Sequence, residues 1–224
     1  MITDVIETKK GAVKRPFIIG LTGGIASGKT TVSNLFHQHH DICVVDADVV
    51  AREIVARGES ALQALVEHFG QAVLLADGSL DRAYLKNCIF SNLTERNWAN
   101  ALLHPLIRQR MTVQLLSCHS YYALAVIPLL VETGIPEYVD FVLVVDCSVE
   151  TQYQRLQQRD SINHLLAKSI LDSQASREQR LSFAQAVINN NGDSDYQQLT
   201  QQVGHWHQFF LTLINQSTNI YHTS

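Results

Sequence analysis

Nothing in this chain is long and apolar enough to span a bilayer. The longest apolar run, Tyr121 to Val131, has eleven residues and is broken by Pro128, where about 20 are needed. A secretory signal is also missing. Met1 to Arg15 carries Asp4, Glu7, Lys9, Lys10, Lys14 and Arg15 without a continuous apolar core, and reads as a flexible N-terminal extension over residues 1–15. Cysteine is sparse. The four, Cys43, Cys88, Cys118 and Cys147, include no C-x-x-C pair, which excludes a zinc ribbon or a dithiol redox motif. They are expected to be reduced, partly buried thiols of a cytoplasmic protein. Basic residues neither outnumber acidic ones nor cluster, since 17 Lys and Arg face 21 Asp and Glu for a formal charge of −4. Long-range attraction to nucleic acid is therefore absent, and no polynucleotide or membrane partner is expected. There is no N-K-x-D stretch to read a guanine base, and no H-R-D or D-F-G set, so a GTPase switch and a protein kinase both lose support.

Histidine is not scarce, and ten of them invite a metal reading. His37, His39 and His40 at the end of the first expected helix do not share one helical face, and imidazolium near a helix C-terminus is favoured by the macrodipole alone. His205 and His207 flank Trp206 in an apolar helix and are expected at its solvent edge.

What the chain does have is a glycine-rich loop in the right setting. Gly23-Gly24-Ile25-Ala26-Ser27-Gly28-Lys29-Thr30 fits G-x-x-x-x-G-K-[ST], after the apolar run Phe17 to Leu21 and before a helix-like stretch from Thr31 to His40. A buried strand feeding a glycine turn that opens a helix brings backbone N–H groups and the helix N-terminus to phosphate oxygens. Lys29 adds a mobile cation and the Thr30 hydroxyl a ligand for Mg²⁺. A bound nucleoside triphosphate is the expectation.

Short β-rich runs alternate with helical patterns, which predicts an α/β fold of the P-loop NTPase type. Its parallel five-stranded sheet is expected to be flanked by helices. The strands are expected at Phe17 to Leu21, Ile42 to Val45, Ala123 to Ile127, Phe141 to Val145 and Ala186 to Ile188. Between the second and third lie about 75 residues without a convincing strand. There Leu62, Leu65, Val66 and Phe69 precede Gly70, Asp77-Gly78 makes a turn, Leu85, Ile89 and Phe90 suggest a second helix, and Leu102 to Met111 a third. Ser148 can cap a helix, Ser176 with Gln179 forms a capping box, and Leu199 to Leu213 continue at helical spacing. The expected organisation is one domain, 16–224, with a nucleotide-binding core at 16–48 and 121–224. A helical insertion is expected at about 49–120, where a second substrate could sit, and a helical segment at about 150–178 that could close as a lid.

In an open parallel sheet, ligands sit at the carboxyl ends of the strands. Asp46 and Asp48 directly follow the second strand and, two apart, point to one side. One can serve the metal and the other a substrate hydroxyl, although aspartates after strands are also ordinary turn formers and caps. Arg155 and Arg159 share a helix face and could close over the triphosphate, or form a solvated arginine face paired with Glu150 or Asp160. Arg52, Arg82 and Arg108 are spread through the insertion, where an anionic acceptor could meet them.

Further stretches come together at this point. From Gly20 onward the chain resembles the dephospho-coenzyme A kinase family. The resemblance runs through Asp46-Ala47-Asp48-Val49-Val50-Ala51-Arg52-Glu53, Asp77 to Arg82 and Leu103-His104-Pro105-Leu106-Ile107-Arg108. It continues through Pro128 to Glu132, Gln154 to Asp160 and Val187 to Gly192. It implies ATP-dependent phosphorylation of the ribose 3′-hydroxyl of dephospho-coenzyme A, the last step of coenzyme A biosynthesis, with Mg²⁺ and with no partner beyond the small-molecule acceptor, in a cytoplasmic monomer. By the same resemblance Asp48 is the base for the hydroxyl and Asp46 joins Thr30 at the metal. Thr22 and Lys29 lie near the transferring phosphate, and Arg155 or Arg159 is the lid arginine. Residues Gly23 to Thr31 and Asn191 hold the nucleotide, and Asp48, Arg52, Arg82, His104 and Arg108 contact the acceptor. Two other readings fit the loop: a kinase of another nucleoside-like acceptor, and a non-catalytic ATP-binding switch, which would need neither Asp48 nor a lobe of this size.

Two departures from the family pattern stand out. Ala26 replaces a common glycine, which is easy at negative φ and strained at positive φ. Phe36 to Ile42 lacks the glycine usual before the second strand.

Overall fold

The computed structural model describes residues 15–192 and 196–219. Residues 1–14 of the expected extension lie outside the described residues. Arg15 lies within them and is held in a two-pronged pair by Asp140, at 2.7 and 2.6 Å.

Five strands form one parallel sheet in the order β2-β3-β1-β4-β5: β1 Phe17–Thr22, β2 Cys43–Asp46, β3 Tyr122–Val126, β4 Phe141–Asp146 and β5 Ala186–Asn189. Each agrees with the expected run to within a residue at either end. β1 is central, in register with β3 from Phe17 opposite Tyr122 to Leu21 opposite Val126, and with β4 from Ile19 opposite Phe141 to Thr22 opposite Val144. Continuous apolar strands such as Phe141 to Val145 are what a sheet covered on both faces requires, because no face is left for polar alternation.

The helices are α1 Lys29–His40, α2 Ala47–Glu53, α3 Ser60–Phe69, α4 Arg82–Ser91, α5 Leu93–Leu116, α6 Leu130–Thr133, α7 Val149–Asp160, α8 His164–Asp172, α9 Arg177–Ser182 and α10 Tyr196–Asn219. The expected caps are present. Ser148 accepts from the Thr151 N–H at the start of α7, and Ser176 with Gln179 makes both bonds of the capping box before α9. Where the family pattern has glycine before the second strand, Asp41 itself adopts the left-handed conformation (φ 52°) and its N–H bonds the His37 carbonyl, closing α1 without one.

The chain divides into two compact units, Met1–Val44 with Leu115–Ser224, and Val45–Gln114. The first holds the sheet. Its core gathers Ile19, Leu21, Leu35, Phe36, Leu124, Phe141, Leu143 and, from α10, Val203, Phe210 and Leu213. Phe210 meets Tyr122 and Phe141 edge to face, and removing so central a ring costs about 3–5 kcal/mol. In the second unit α3 buries Ala61, Leu62 and Leu65, while Trp98 stacks on His68. Arg110 pairs with Glu59 and Gln114 donates to Glu53. α5 runs through Pro105, forgoing one i→i−4 bond.

Two expectations are corrected. Cys43 and Cys118 are joined as a disulfide, Cα atoms 5.9 Å apart across 75 positions, leaving Cys88 and Cys147 as thiols. No spacing motif announces such a pair, because the fold alone returns the chain after α5 to the start of β2. His207 is not at a solvent edge: it is buried, bonded through Nδ1 to the Tyr122 hydroxyl at 2.9 Å and stacked on His40 at 4.0 Å between centroids. The helix expected from Leu85, Ile89 and Phe90 is α4, in which Leu85 is buried and Phe90 is exposed. Among the described residues no group of three or more His, Cys, Asp or Glu could hold a metal, and no helix is long and apolar enough to cross a membrane.

Candidate active site

β1 ends at Thr22, which is 1% exposed and whose hydroxyl donates to the Pro128 carbonyl at 3.4 Å. The loop 23–28 follows and opens α1, whose N-cap, Gly28, offers no side-chain acceptor to the first-turn N–H groups. Lys29 turns back over the loop and donates to the carbonyls of Gly23 and Gly24 at 2.8 and 3.0 Å. Thr30 and Thr31 are exposed on the first turn. An uncapped helix start, inward carbonyls gathered by one ammonium and exposed hydroxyls form a cradle for an anion.

Neighbouring side chains explain the glycines. A Cβ on Gly28 would lie 2.1 Å from Asn190 Nδ2, and φ there is +94°; one on Gly24 would lie 2.1 Å from Gln152 Nε2 and 2.8 Å from Arg180 Nη2. Ala26 takes a left-handed φ of 57°. The strained alternative for this position therefore holds, at a cost of about 1–2 kcal/mol relative to the right-handed region.

A layer of residues not anticipated from the sequence surrounds the loop. Asn190 Nδ2 donates to the Ser27 carbonyl at 2.8 Å. Ile25 is held twice: its N–H donates to Gln174 Oε1 at 2.8 Å and its carbonyl accepts from Gln152 Nε2 at 2.6 Å. Behind them Arg180 is buried, donating to the Ala175 carbonyl and at 3.4 Å to Gln152 Oε1. Burial lowers its pKa, opposed by the Glu132 and Asp146 carboxylates. Arg177 grips Asp146, the buried last residue of β4, through Nε and Nη2, and that bonding raises the arginine's pKa. The only sequence signal for this layer is the run Asn189-Asn190-Asn191-Gly192 at the end of β5, because glutamines carry no spacing signature.

On α7 the two candidate lid arginines differ. Arg155 Nη2 donates to the Asn191 carbonyl at 3.3 Å, while its Nη1 is buried with no hydrogen-bond partner among the described residues. Asn191 Oδ1 in turn accepts from the Ser148 N–H. Arg159 is 59% exposed and pairs with its neighbour Asp160.

The remaining candidates belong to the second unit. Asp46 is the N-cap of α2, its Oδ1 accepting from the Asp48 N–H at 2.7 Å, and Asp48 is exposed in the first turn. Arg52 closes α2, Arg82 opens α4 after its Asp81 cap, and His104 and Arg108 lie one turn apart on α5. These four side chains are exposed and, among the described residues, none is in an ion pair. No bond joins them to one another.

Residues 17–195 match the family model described as Dephospho-CoA kinase. The chain belongs to the dephospho-CoA kinase family. It is 50% identical over 200 residues to the dephospho-CoA kinase of Vibrio vulnificus, covering 89% of this chain and 98% of that one. It is 46% identical over 200 residues to that of Escherichia coli O6:H1, covering 89% and 96%. Among solved structures it is similar to dephospho-CoA kinase from Campylobacter jejuni, with a TM-score of 0.64 at 27% identity over 85% of this chain and 95% of that one. TT1252 from Thermus thermophilus gives 0.71 at 26% identity over 84% and 94%. As a member of the dephospho-CoA kinase family the chain is an enzyme, a phosphotransferase built on a P-loop kinase fold. The expected fold and family are thereby borne out.

Proposed function

We propose that this chain transfers the terminal phosphoryl group of ATP to the ribose 3′-hydroxyl of dephospho-coenzyme A, giving coenzyme A and ADP, as a cytoplasmic monomer. The family supports the reaction class. The observation that carries the donor half is the cradle at 23–30, where Lys29 and the uncapped start of α1 converge on the loop.

Phosphoryl transfer asks for in-line positioning and neutralised charge rather than covalent help. In our reading the loop N–H groups and Lys29 hold the β- and γ-phosphates, Thr22 lies beside the transferring group, and Asn191 with Arg155 completes the nucleotide side. Of the two lid arginines we assign the charge-stabilising role to Arg155, because an orphaned guanidinium N–H is a donor held for a ligand; Arg159 is already committed to Asp160. Asp48 orients the acceptor hydroxyl and takes its proton. Arg52, Arg82, His104 and Arg108 meet the anionic acceptor. The Thr30 hydroxyl and the Asp46 carboxylate are hard oxygen donors of the kind that would hold Mg²⁺, which would neutralise phosphate charge when bound.

The test is ADP release from ATP with and without dephospho-coenzyme A, with the product checked by mass for one added phosphate. Acceptor-dependent ADP release is expected. No stimulation by dephospho-coenzyme A at saturating ATP would overturn the proposal.

A further inference from the structure

The two bonds on Ile25 fix more than one residue. A trans peptide is planar, so its carbonyl and the following N–H point in opposite directions. In the Gly24–Ile25 peptide the carbonyl accepts from Lys29 Nζ at 3.0 Å and from the Ser27 N–H at 3.2 Å, while the N–H is taken by Gln174. In the next peptide, Ile25–Ala26, the carbonyl is taken by Gln152, so the Ala26 N–H must point away from Gln152. That orientation is maintained although it places Ala26 at φ 57°, and backbone strain of this kind persists only where surrounding contacts over-determine it. The contacts are well supported. Gln152 is 2% exposed with Arg180 behind it, and the absence of a side chain on Gly24 is what lets both approach.

We propose that Gln152 and Gln174 are positioning residues for phosphoryl transfer: they lock the two peptides that flank Ile25, Gln174 the first and Gln152 the second, so that the Ile25–Ala26 peptide keeps its N–H presented to the nucleotide phosphates and its carbonyl turned away. The clasp rests on the assignment of the loop to ATP phosphates. It is needed because a peptide at a left-handed alanine has a ready alternative. Rotating the plane would relieve Ala26 and put a carbonyl oxygen where a phosphate oxygen must sit, replacing a donor by a repelling acceptor. Gln152 lies in the first turns of α7, and Gln174 between α8 and α9, so both ends of the expected lid hold one residue of the phosphate loop. Lid and loop are thus a single mechanical element, with Arg180 and the Asp146–Arg177 pair bracing its base.

The donor and acceptor roles differ, which gives a discriminating test. Gln174 accepts, so Gln174→Glu keeps the bond to the Ile25 N–H; Gln152 donates, so Gln152→Glu loses its bond and sets a carboxylate against the Ile25 carbonyl. Both changes add one charge. Steady-state kinetics with ATP and dephospho-coenzyme A, corrected for the folded fraction by unfolding curves, should give a kcat for Gln152→Glu lower by about 10²-fold, as for a displacement near 1 Å. Gln174→Glu should retain most of the turnover, and Gln174→Met should lose it. KM for dephospho-coenzyme A should stay unchanged throughout. Equal kcat values for Gln174→Glu and Gln174→Met would overturn the clasp even if Gln152→Glu fails to fold. So would a Gln152→Glu loss wholly explained by unfolded protein, as a merely structural role requires. Wild-type enzyme without acceptor-dependent turnover would instead overturn the proposed function.

Discussion

Asp48→Asn replaces one oxygen by an amide nitrogen and leaves shape almost untouched. The structure separates its possible effects. Helix capping at α2 belongs to Asp46, whose Oδ1 receives the Asp48 N–H through the main chain, so the substitution keeps the cap. Among what Asp48 gives the fold is an exposed negative charge in the first turn, about 0.3–1 kcal/mol through the helix dipole. What it gives the proposed reaction is the proton acceptor, whose loss lowers kcat by about 10²–10⁴. Converted to a barrier, that is about 2.7–5.4 kcal/mol. The two effects therefore differ in size and in the measurement that detects them. Urea unfolding should shift by less than about 1 kcal/mol, while ADP release at saturating ATP and dephospho-coenzyme A collapses and KM for ATP barely moves. A kcat within a few-fold of wild type, with the protein folded, would remove Asp48 from the mechanism and move the base to Asp46.

Lys29→Ala should abolish turnover while the protein still folds, since its ammonium donates to the loop carbonyls of Gly23 and Gly24 and carries no apolar packing; near-normal turnover would refute the phosphate cradle. Ala26→Gly should be neutral to stabilising by up to about 1 kcal/mol, because relief of the left-handed alanine is offset by the freer unfolded chain; a clear loss of stability in urea would refute the strain. Unfolded, unreduced protein should show two titratable thiols, Cys88 and Cys147, and four after reduction. Opening a 75-residue loop should lower unfolding free energy by about 4 kcal/mol in the chain-entropy account, and four thiols before reduction would remove the bond. His40 and His207 have pKa values lowered first by burial, and then by His39 and His40 respectively. The unfolded chain therefore binds more protons than the folded one near pH 6, so stability is full above about pH 6.5 and falls as pH drops. Urea midpoints at pH 8 and pH 5.5 should differ in that sense, His207→Phe should reduce the difference, and equal midpoints would refute it.

Local rules made the sheet and the loop legible. Five short β-rich runs, a G-x-x-x-x-G-K-T stretch between a strand and a helix, and the Ser148 and Ser176 caps are all set by neighbours within a few positions, where side-chain chemistry acts directly on the backbone. Asp46, Asp48, Arg155 and Arg159 could be marked for the same reason, as charges just after strands or four apart on a helix. Tertiary structure decided the rest, because it depends on groups far apart in the chain meeting. Gln174 bonds Ile25 across 149 positions and Asn190 bonds Ser27 across 163. Cys118 returns to Cys43, and His207 finds Tyr122 and His40 in the core. The burial of the Arg155 guanidinium and the pairing of Arg159 with Asp160 are likewise set by the fold. Glutamine, asparagine and histidine carry no periodic signal of their own. Their meaning is fixed only when burial removes water and makes each remaining hydrogen bond obligatory.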